Sequence, residues 1–207
     1  MSKIIVGLIF TTVLCTIYAF KNCDHKMNSN KALTSTHLED FRFQKQWNKV
    51  KKLTENDSKY NRDIAFFIDM KIHSGKNRFF IYDLKNQKIM DKGLVAHGSG
   101  SETRVAGTLK FSNTNNSLCT ALGNYSIGNS YVGKFGKAYK LFGLDTTNNN
   151  AFDRNIVLHY YFDVPYNEQE TYICNSFGCP MVNEEFYNRI EKIIDNSKKK
   201  IILNIYY

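Results

Sequence analysis

Two cysteines, a serine and a glycine lie close together near the end of the chain, in the stretch CNSFGCPMV, which runs from Cys174 to Val182. A nucleophilic cysteine needs a base that takes its proton and donors that stabilise the oxyanion it creates. Gly178 lets the backbone turn tightly, so that amide N–H groups near Cys179 could converge on one point. Pro180 then fixes φ directly after the cysteine. The stretch therefore indicates a nucleophile held in a turn.

The N-terminus has the layout of an export signal. Lys3 is followed by the uncharged apolar run IIVGLIFTTVLCTIYAF over residues 4–20, and then by a polar segment. We expect residues 1–20 to be a signal peptide or an uncleaved anchor, with residues 4–20 as a membrane tether in the second case. A buried hydrophobic element is the alternative. The expected location is outside the cytoplasm, in the periplasm or cell envelope.

The cysteines fit other chemistries less well. Four residues separate Cys174 from Cys179, and no second pair has a matching spacing, so a structural zinc site is not expected. An oxidising compartment permits disulfides, but Cys23, Cys119 and this pair are too few to form a disulfide scaffold. Cys174 is either a redox partner of Cys179, or a small strand residue or disulfide partner of Cys119; we favour the second interpretation. No metal and no cofactor is expected.

Two histidines are candidates for the base, His97 and His159. His159 lies in the strand-like segment IVLHYY, twenty residues before Cys179. Taken alone, a histidine in such a strand is more often a hydrogen-bonded core residue than a catalyst. Beside the pattern Ser-x-Gly-Cys in an exported chain, the catalytic interpretation of His159 is favoured.

The composition limits the class of protein. With 207 residues, of which 43% are hydrophobic, the chain can form one domain with its own core. Its formal net charge of +9 favours anionic partners such as a cell-wall polymer, membrane headgroups or nucleic acid, although a simply solvated basic surface is an equal alternative. No zinc-finger spacing or other nucleic-acid module occurs, so nucleic acid is not an expected partner.

The pattern of apolar residues predicts the elements that must position these groups. The capping box Thr36–Glu39 predicts a packing helix that ends near Leu53. Strict alternation over residues 64–72, followed by two further strand-like segments, predicts a β-meander. Residues 98–136 are rich in glycine and predict loops and short strands around a site. Further strands, a helix that begins after Asn183 and a terminal strand complete a mainly β fold with flanking helices (α+β).

The residues resemble a known family, the L,D-transpeptidase catalytic domain of the YkuD type. The similarity rests on His159 followed by Ser-Phe-Gly-Cys, and on the stretches VAHGSGS, YVGKFGKAYKLFGLD, TNNNAFDRNIVLH and NSFGCPMV. It covers roughly residues 60–205. It implies a β-sandwich or barrel catalytic domain over residues 60–207, preceded by a linker and packing helix over residues 21–59.

The resemblance also implies a reaction on peptidoglycan stem peptides. Cys179 would attack the carbonyl of the third stem residue and form a thioester, with His159 as the base. Ser176 would order the turn, and backbone N–H groups around Gly178 and Cys179 would hold the oxyanion. Carbapenem β-lactams would acylate the same thiol.

Three positions depart from the main branch of the family, namely Phe177, Met181 and Tyr160. They affect contacts with the substrate. Arg154 could therefore supply the missing cation and hold a stem carboxylate, or it could form a surface ion pair.

Two other residues have paired interpretations. His97 lines the cleft or makes a structural hydrogen bond to the glycine-rich loop, and Tyr131 is a cleft wall or plain core. We expect the Cys179 sulfur within hydrogen-bond reach of a His159 imidazole nitrogen, or slightly farther without substrate, in a cleft walled by residues 97–101 and 123–136.

Other functions remain open at this point. An L,D-carboxypeptidase would hydrolyse the same acyl-enzyme, and a non-catalytic wall-binding protein would use the same fold without chemistry. A papain-like protease is disfavoured, since its cysteine precedes its histidine.

Overall fold

The computed structural model describes residues 40–207, which belong to two compact units, Met1–Lys45 and Gln46–Tyr207. In the first unit the described residues, 40–45, are helical. The predicted export segment, the capping box at Thr36–Glu39 and Cys23 lie outside the described residues. Among the residues that are described, no helix is long and apolar enough to cross a membrane.

The second unit contains two helices and nine strands in its described part. The helices are α1 (residues 46–56) and α2 (Glu184–Asn196), and a single turn of 3-10 helix covers Ser99–Ser101. The strands are β1 (Ile64–Asp69), β2 (Phe79–Asp83), β3 (Lys88–Gly93), β4 (Val95–Ala96), β5 (Gly123–Gly133), β6 (Gly136–Gly143), β7 (Val157–Tyr160), β8 (Met181–Val182) and β9 (Ile202–Tyr206). Because the unit begins at Gln46, it includes α1, which the sequence assigned to the segment before residue 60.

All nine strands form one sheet in the order β3-β2-β1-β9-β5-β6-β7-β8-β4. The pairs β1–β9 and β7–β8 are parallel, and the other neighbours are antiparallel. The outermost strands β3 and β4 are consecutive in sequence, and Leu94 alone separates them. The two edges of the sheet must therefore come close together, which makes the sheet a nearly closed barrel. The predicted class, mainly β with flanking helices, is confirmed.

The predicted meander is formed by β1, β2 and β3, which pair antiparallel in sequence order. Phe66 and Ile68, which the alternation placed on one face, belong to the main core cluster. The intervening Ala65 and Phe67 are also fully buried, because the sheet is covered on both sides at this point. The interior is filled by aromatic and branched side chains, which supply most of the stabilising burial.

The glycine-rich region is more regular than its sequence predicted. Residues 123–133 form β5, an eleven-residue strand that pairs with β6 on one side and β9 on the other. The register shifts between Ile127 and Ser130, which is a β-bulge. A Cβ at Gly128 would overlap the Phe142 ring, so glycine is needed there for close packing and does not mark a loop.

The helix after Asn183 forms as predicted. The Asn183 side chain accepts a hydrogen bond from the Glu185 backbone N–H at 2.8 Å, which caps the first turn of α2. Phe186 and Ile190 are buried against the sheet. Lysines 198–200 follow the end of the helix and are exposed.

Candidate active site

The parallel pairing of β7 with β8 brings His159 and Cys179 to one face of the sheet. His159 is the partner of Met181, so that Cys179, two residues earlier, lies beside Val157. The Val157 N–H contacts the Cys179 Sγ at 3.4 Å. Since alternate residues of a strand share a face, these four side chains point to the same side, and all four line one cavity.

The turn before Cys179 is held by residues that the sequence singled out. Ser176 is buried, and its Oγ accepts a hydrogen bond from the Gly178 N–H at 3.0 Å. Gly178 has φ +119°, a conformation that favours glycine. A Cβ on Gly178 would lie 2.9 Å from the Cys119 carbonyl oxygen and 3.1 Å from the Ile156 Cδ1. Both the conformation and the space therefore require glycine at this position.

Of the two backbone amides expected to hold an oxyanion, only that of Cys179 is available. The Gly178 N–H is committed to the Ser176 Oγ and is therefore engaged in the turn itself. Within the part of the chain that the structure describes, the Cys179 N–H has no hydrogen-bond acceptor. This amide is the donor that remains for an oxygen bound next to the sulfur.

His159 is oriented by a backbone carbonyl. Its Nδ1 lies 2.9 Å from the Tyr160 carbonyl oxygen. A carbonyl can only accept, so Nδ1 carries a proton and Nε2 is the nitrogen that can take one. The Phe135 ring stacks on the imidazole with centroids 5.6 Å apart and an interplanar angle of 20°. Burial lowers the pKa of His159 below its ordinary value, and the bond to Tyr160 partly offsets this effect.

The thiol of Cys179 is half-buried and un-ionised. Burial raises its pKa, while the Val157 N–H and the Arg154 cation act in the opposite direction. The sulfur lies 3.7 Å from the Asn155 carbonyl oxygen, which can accept the S–H proton. The pKa shifts of thiol and imidazole both favour a neutral pair over a thiolate and an imidazolium.

The expected hydrogen bond between the Cys179 sulfur and His159 is not present among the described residues. The thiol contacts Val157 and Asn155, and the imidazole bonds to Tyr160. One physical reason is that a neutral thiol gains a hydrogen-bond acceptor at the Asn155 carbonyl. A second is that hydrogen bonds between catalytic groups often form only when substrate is bound.

The cavity has a volume of about 340 Å³, and four aromatic side chains, Tyr131, Phe135, Tyr161 and Phe177, form part of its wall. Tyr131 and residues 133–136, from the hairpin that joins β5 to β6, form one wall, so the end of the predicted segment 123–136 lines the cavity and residues 123–130 do not. Residues 97–101 are not among the lining residues, contrary to the expectation for the first segment. Sequence reasoning included Lys134 and Phe135 only as part of the segment 123–136, and it did not select the lining side chains Ala138, Asn155, Val157, Tyr161 and Asn175.

The predicted substrate-binding residues are distributed differently. Tyr131 lines the cavity. Arg154 does not, since its guanidinium donates to the Ser112 carbonyl at 3.0 Å and to the Cys119 carbonyl at 2.6 Å. His97 is buried away from the cavity, where its ring contacts Arg78 and Glu102. Buried polar groups need hydrogen-bond partners, and the Arg154 and His97 side chains are already bonded to the partners named here.

The other described cysteines are free thiols. Cys119 is buried and its sulfur bonds to the Gly100 carbonyl, so the proposed disulfide between Cys119 and Cys174 is not formed. Cys174 is half-buried against a small apolar cluster and does not line the cavity. Among the described residues, no group of three or more His, Cys, Asp or Glu side chains could hold a metal ion.

Sequence reasoning missed Phe135 because an aromatic between two glycines gives no periodic signal. The pattern Gly-Lys-Phe-Gly is, however, a hairpin tip, since Gly133 pairs with Gly136 and Gly136 has φ +85°. The role of the Tyr160 carbonyl could not be read from residue types, because it is a backbone group.

Several solved structures are similar to this chain in part. One is the Ldtfm-avibactam carbamoyl enzyme, with 10% identity and a TM-score of 0.41. The match covers 70% of this chain and 49% of that chain. A second is the L,D-transpeptidase from Xylanimonas cellulosilytica (14% identity, TM-score 0.37; 69% and 60% covered). A third is the helical cell shape determining protein Pgp2 from Campylobacter jejuni (13% identity, TM-score 0.44; 69% and 46% covered). This chain thus spans about half to three fifths of those chains.

No curated protein matches the chain. Residues 34–206 match the family described as L,D-transpeptidase catalytic domain (YkuD_2), which is most of the sequence and includes the turn, the histidine strand and the hairpin. The chain therefore belongs to the L,D-transpeptidase catalytic domain family.

Proposed function

We propose that this protein is an exported cysteine acyltransferase that forms L,D cross-links between peptidoglycan stem peptides. The observation that carries the proposal is the shared cavity of Cys179 and His159, in which Nδ1 is bound to the Tyr160 carbonyl and Nε2 remains to accept a proton. This is the nucleophile, base and orienting group that acyl transfer requires.

The reaction begins when the Cys179 sulfur attacks the carbonyl carbon of the third stem residue. The thiol proton passes to Nε2 of His159, and the carbonyl oxygen becomes an oxyanion that accepts a hydrogen bond from the Cys179 N–H. The intermediate collapses when the C–N bond to the terminal D-alanine breaks and the imidazolium returns the proton to the leaving amine. A thioester on Cys179 remains.

An amine from a neighbouring stem then attacks the thioester. It loses its proton to His159, and the C–S bond breaks to release the cross-linked product and the thiol. Water in place of the amine would make the protein an L,D-carboxypeptidase. The aromatic walls of the cavity, Tyr131, Phe135, Tyr161 and Phe177, favour a peptide acceptor, because they bury the apolar parts of a bound chain.

The charge of the cleft supports a substrate that ends in a carboxylate. Lys134 lies at the hairpin tip, lines the cavity and carries the cation that the sequence had assigned to Arg154. No aspartate or glutamate lines this cavity among the described residues. The leaving D-alanine carries a carboxylate one residue beyond the bond that breaks, so we assign its recognition to Lys134.

Export is part of the proposal, because stem peptides are outside the cytoplasm. It rests on Lys3 and the apolar run over residues 4–20. The net charge of +9 is compatible with an anionic wall polymer.

The test is incubation with purified tetrapeptide muropeptides, followed by mass spectrometry of the products. Loss of one D-alanine with a new dimer identifies transpeptidation, and loss of D-alanine with one added water identifies hydrolysis. We expect no product from Cys179→Ala and full activity from Cys174→Ala, a matched control since Cys174 lies outside the cavity. Both variants should keep the circular dichroism spectrum of the wild type.

Two outcomes would contradict the proposal. Activity in Cys179→Ala would exclude the cysteine mechanism. A folded, reduced wild-type protein that binds muropeptides and leaves them unchanged would favour the wall-binding alternative.

A further inference from the structure

A buried arginine, a buried histidine and a half-exposed glutamate form a continuous network next to the nucleophile turn. The Arg78 Nη2 lies 2.8 Å from the His97 Nδ1, and the His97 Nε2 lies 2.7 Å from the Glu102 Oε1. Arg78 and His97 are 1% and 2% exposed. The catalytic steps described above use none of the three.

The protonation of His97 follows from its partners. An arginine side chain only donates, so Nδ1 must be the acceptor and carry no proton. Nε2 then carries the proton and donates it to Glu102. The ring is therefore fixed in one tautomer and one orientation.

Arg78 holds the other end of this network in place. Its Nε and Nη2 donate to the Val95 carbonyl at 3.0 and 2.7 Å, and its Nη1 donates to the Ile72 carbonyl at 3.2 Å. Burial lowers the pKa of Arg78 to about 10, so it remains a cation at neutral pH. A buried charge is costly, and replacing it with apolar packing often stabilises a protein, so its presence points to a requirement for a fixed geometry.

The backbone of His97 is bonded directly to the nucleophile turn. The His97 carbonyl accepts from the Ser176 N–H at 2.8 Å, and the Ser99 N–H donates to the Ser176 carbonyl at 2.7 Å. A Cβ on Gly98 would lie 2.9 Å from the Gly178 Cα, so the two glycines pack against each other. A displacement of the His97 backbone would consequently shift Ser176 and Gly178, and with them the Cys179 N–H.

Glu102 adds a second connection, to the wall of the cavity. Its Oε1 also lies 3.3 Å from the Asn175 Nδ2, and Asn175 lines the cavity beside Ser176. The same carboxylate oxygen therefore joins the buried histidine to the residue that precedes the turn.

We propose that His97 and Glu102 are positioning residues that set the direction of the Cys179 N–H and thiol through Ser176 and Asn175. His97 was expected to bind substrate; the structure assigns it to the support of the turn instead. The kinetic part of this inference rests on the proposed function, whereas the geometric part does not.

The test uses the full chain and begins with Glu102, since 44% of its side chain is exposed and its replacement should leave the fold intact. Glu102→Ala removes both acceptor contacts, and Glu102→Gln keeps an amide oxygen for them. We expect Glu102→Ala to lower kcat on tetrapeptide muropeptides by about tenfold or more with KM within about twofold, because misplaced groups lose rate without losing binding. Glu102→Gln should retain kcat within about threefold of the wild type. Because this variant keeps the acceptor oxygen and removes the negative charge, it distinguishes a positioning role of Glu102 from an effect of its charge.

Glu170→Ala is the matched control, because Glu170 is an exposed glutamate that pairs with Lys76 on another part of the surface. It should leave kcat and KM at the wild-type values. His97→Phe is a second variant, to be used if its circular dichroism and Tm show that it folds, and it should lose kcat as Glu102→Ala does.

A measurement independent of activity is the ¹H–¹⁵N NMR spectrum. We expect the amide signals of Gly178 and Cys179 to shift in Glu102→Ala, and to stay in place in Glu102→Gln and Glu170→Ala. Unchanged signals together with wild-type kcat in Glu102→Ala would overturn the inference. If the wild type has no activity on muropeptides, the proposed function fails while the NMR comparison still decides the positioning role.

Discussion

Cys179 and His159 differ from a preformed ion pair. Burial raises the pKa of the thiol and lowers the pKa of the imidazole, so both groups are neutral at rest. The sulfur is in contact with Asn155 and Val157 rather than with the imidazole. In the proposed mechanism, nucleophilic attack therefore includes transfer of the thiol proton to His159 once the substrate has entered.

This state predicts how a carbapenem would react. We expect one covalent adduct on Cys179, detected as a mass increase of the intact protein and located by peptide mapping. Because proton transfer to a neutral His159 activates the thiol, the acylation rate should be nearly flat from about pH 8 to pH 6.5 and fall only as pH drops through the lowered pKa of His159.

The alternative for this reaction is attack by free thiolate alone. In that case the rate would fall about tenfold per pH unit over the same range, because the thiol pKa is raised. His159→Gln should show this steep dependence and serves as the control. A wild type with the steep profile would contradict the neutral pair.

At the scale of elements, the β5–β6 hairpin contributes one wall of the cavity. Its tip carries Lys134 and Phe135 between two paired glycines, and Phe135 covers the imidazole face. The Lys134 ammonium lies over the Phe135 ring, 5.5 Å from its centre. One short turn thus contributes both an apolar wall and a cation.

Replacing the cation should affect binding more than chemistry. We expect Lys134→Gln to raise KM for tetrapeptide muropeptides about two- to fivefold with little change in kcat, since an exposed ion pair contributes about 0.5–1 kcal/mol. The difference in KM between the wild type and Lys134→Gln should become smaller at high salt, because salt screens exposed ion pairs.

The control for this prediction is Lys198→Gln, because Lys198 is exposed at the end of α2 and does not line the cavity. Equal KM values for Lys134→Gln and the control would remove Lys134 from substrate recognition.

At the scale of the whole molecule, the nearly closed sheet buries two histidines. Burial lowers the pKa of both His97 and His159, and the Arg78 cation lowers that of His97 further, while Glu102 opposes it. The unfolded chain, whose histidines have the ordinary value near 6.5, then binds protons that the folded protein does not.

The free energy of unfolding should therefore fall as pH falls. The contribution of the two histidines to the free energy of unfolding is fully present above about pH 6.5. It decreases as the pH falls from there to the lowered pKa values of the folded protein, by at most about 1.4 kcal/mol per pH unit for each histidine. Urea unfolding at several pH values between about 5.5 and 7.5 measures this change in the free energy of unfolding. The range lies above the pKa values of most carboxylates, so that their titration contributes little.

The matched control is His159→Gln, which should reduce the slope by about half because one titrating group is lost. A slope of zero between those pH values in the wild type would show that the two histidines titrate normally in the folded state.

The sequence by itself determined the local and repeating features. Alternation over residues 64–72 produced the meander, the Asn183 cap started α2, and the order of His159 and Cys179 indicated the family. These features depend on residue type and spacing within a short segment, where the physical chemistry of turns, caps and strands is local.

Only the tertiary structure decided which of the polar residues meet. Arg154 and His97 were both candidates for the cleft, but Arg154 donates to carbonyls 42 and 35 residues away, and His97 bonds to Arg78, 19 residues away, and to the nearer Glu102. Likewise, the glycine-rich region over residues 98–136 predicted loops and short strands, whereas Gly128 lies in the long strand β5 against the Phe142 ring. Such contacts form when the sheet brings together strands that are separated in sequence. A buried polar group then bonds to whichever partner lies within reach, and no local sequence pattern specifies that partner.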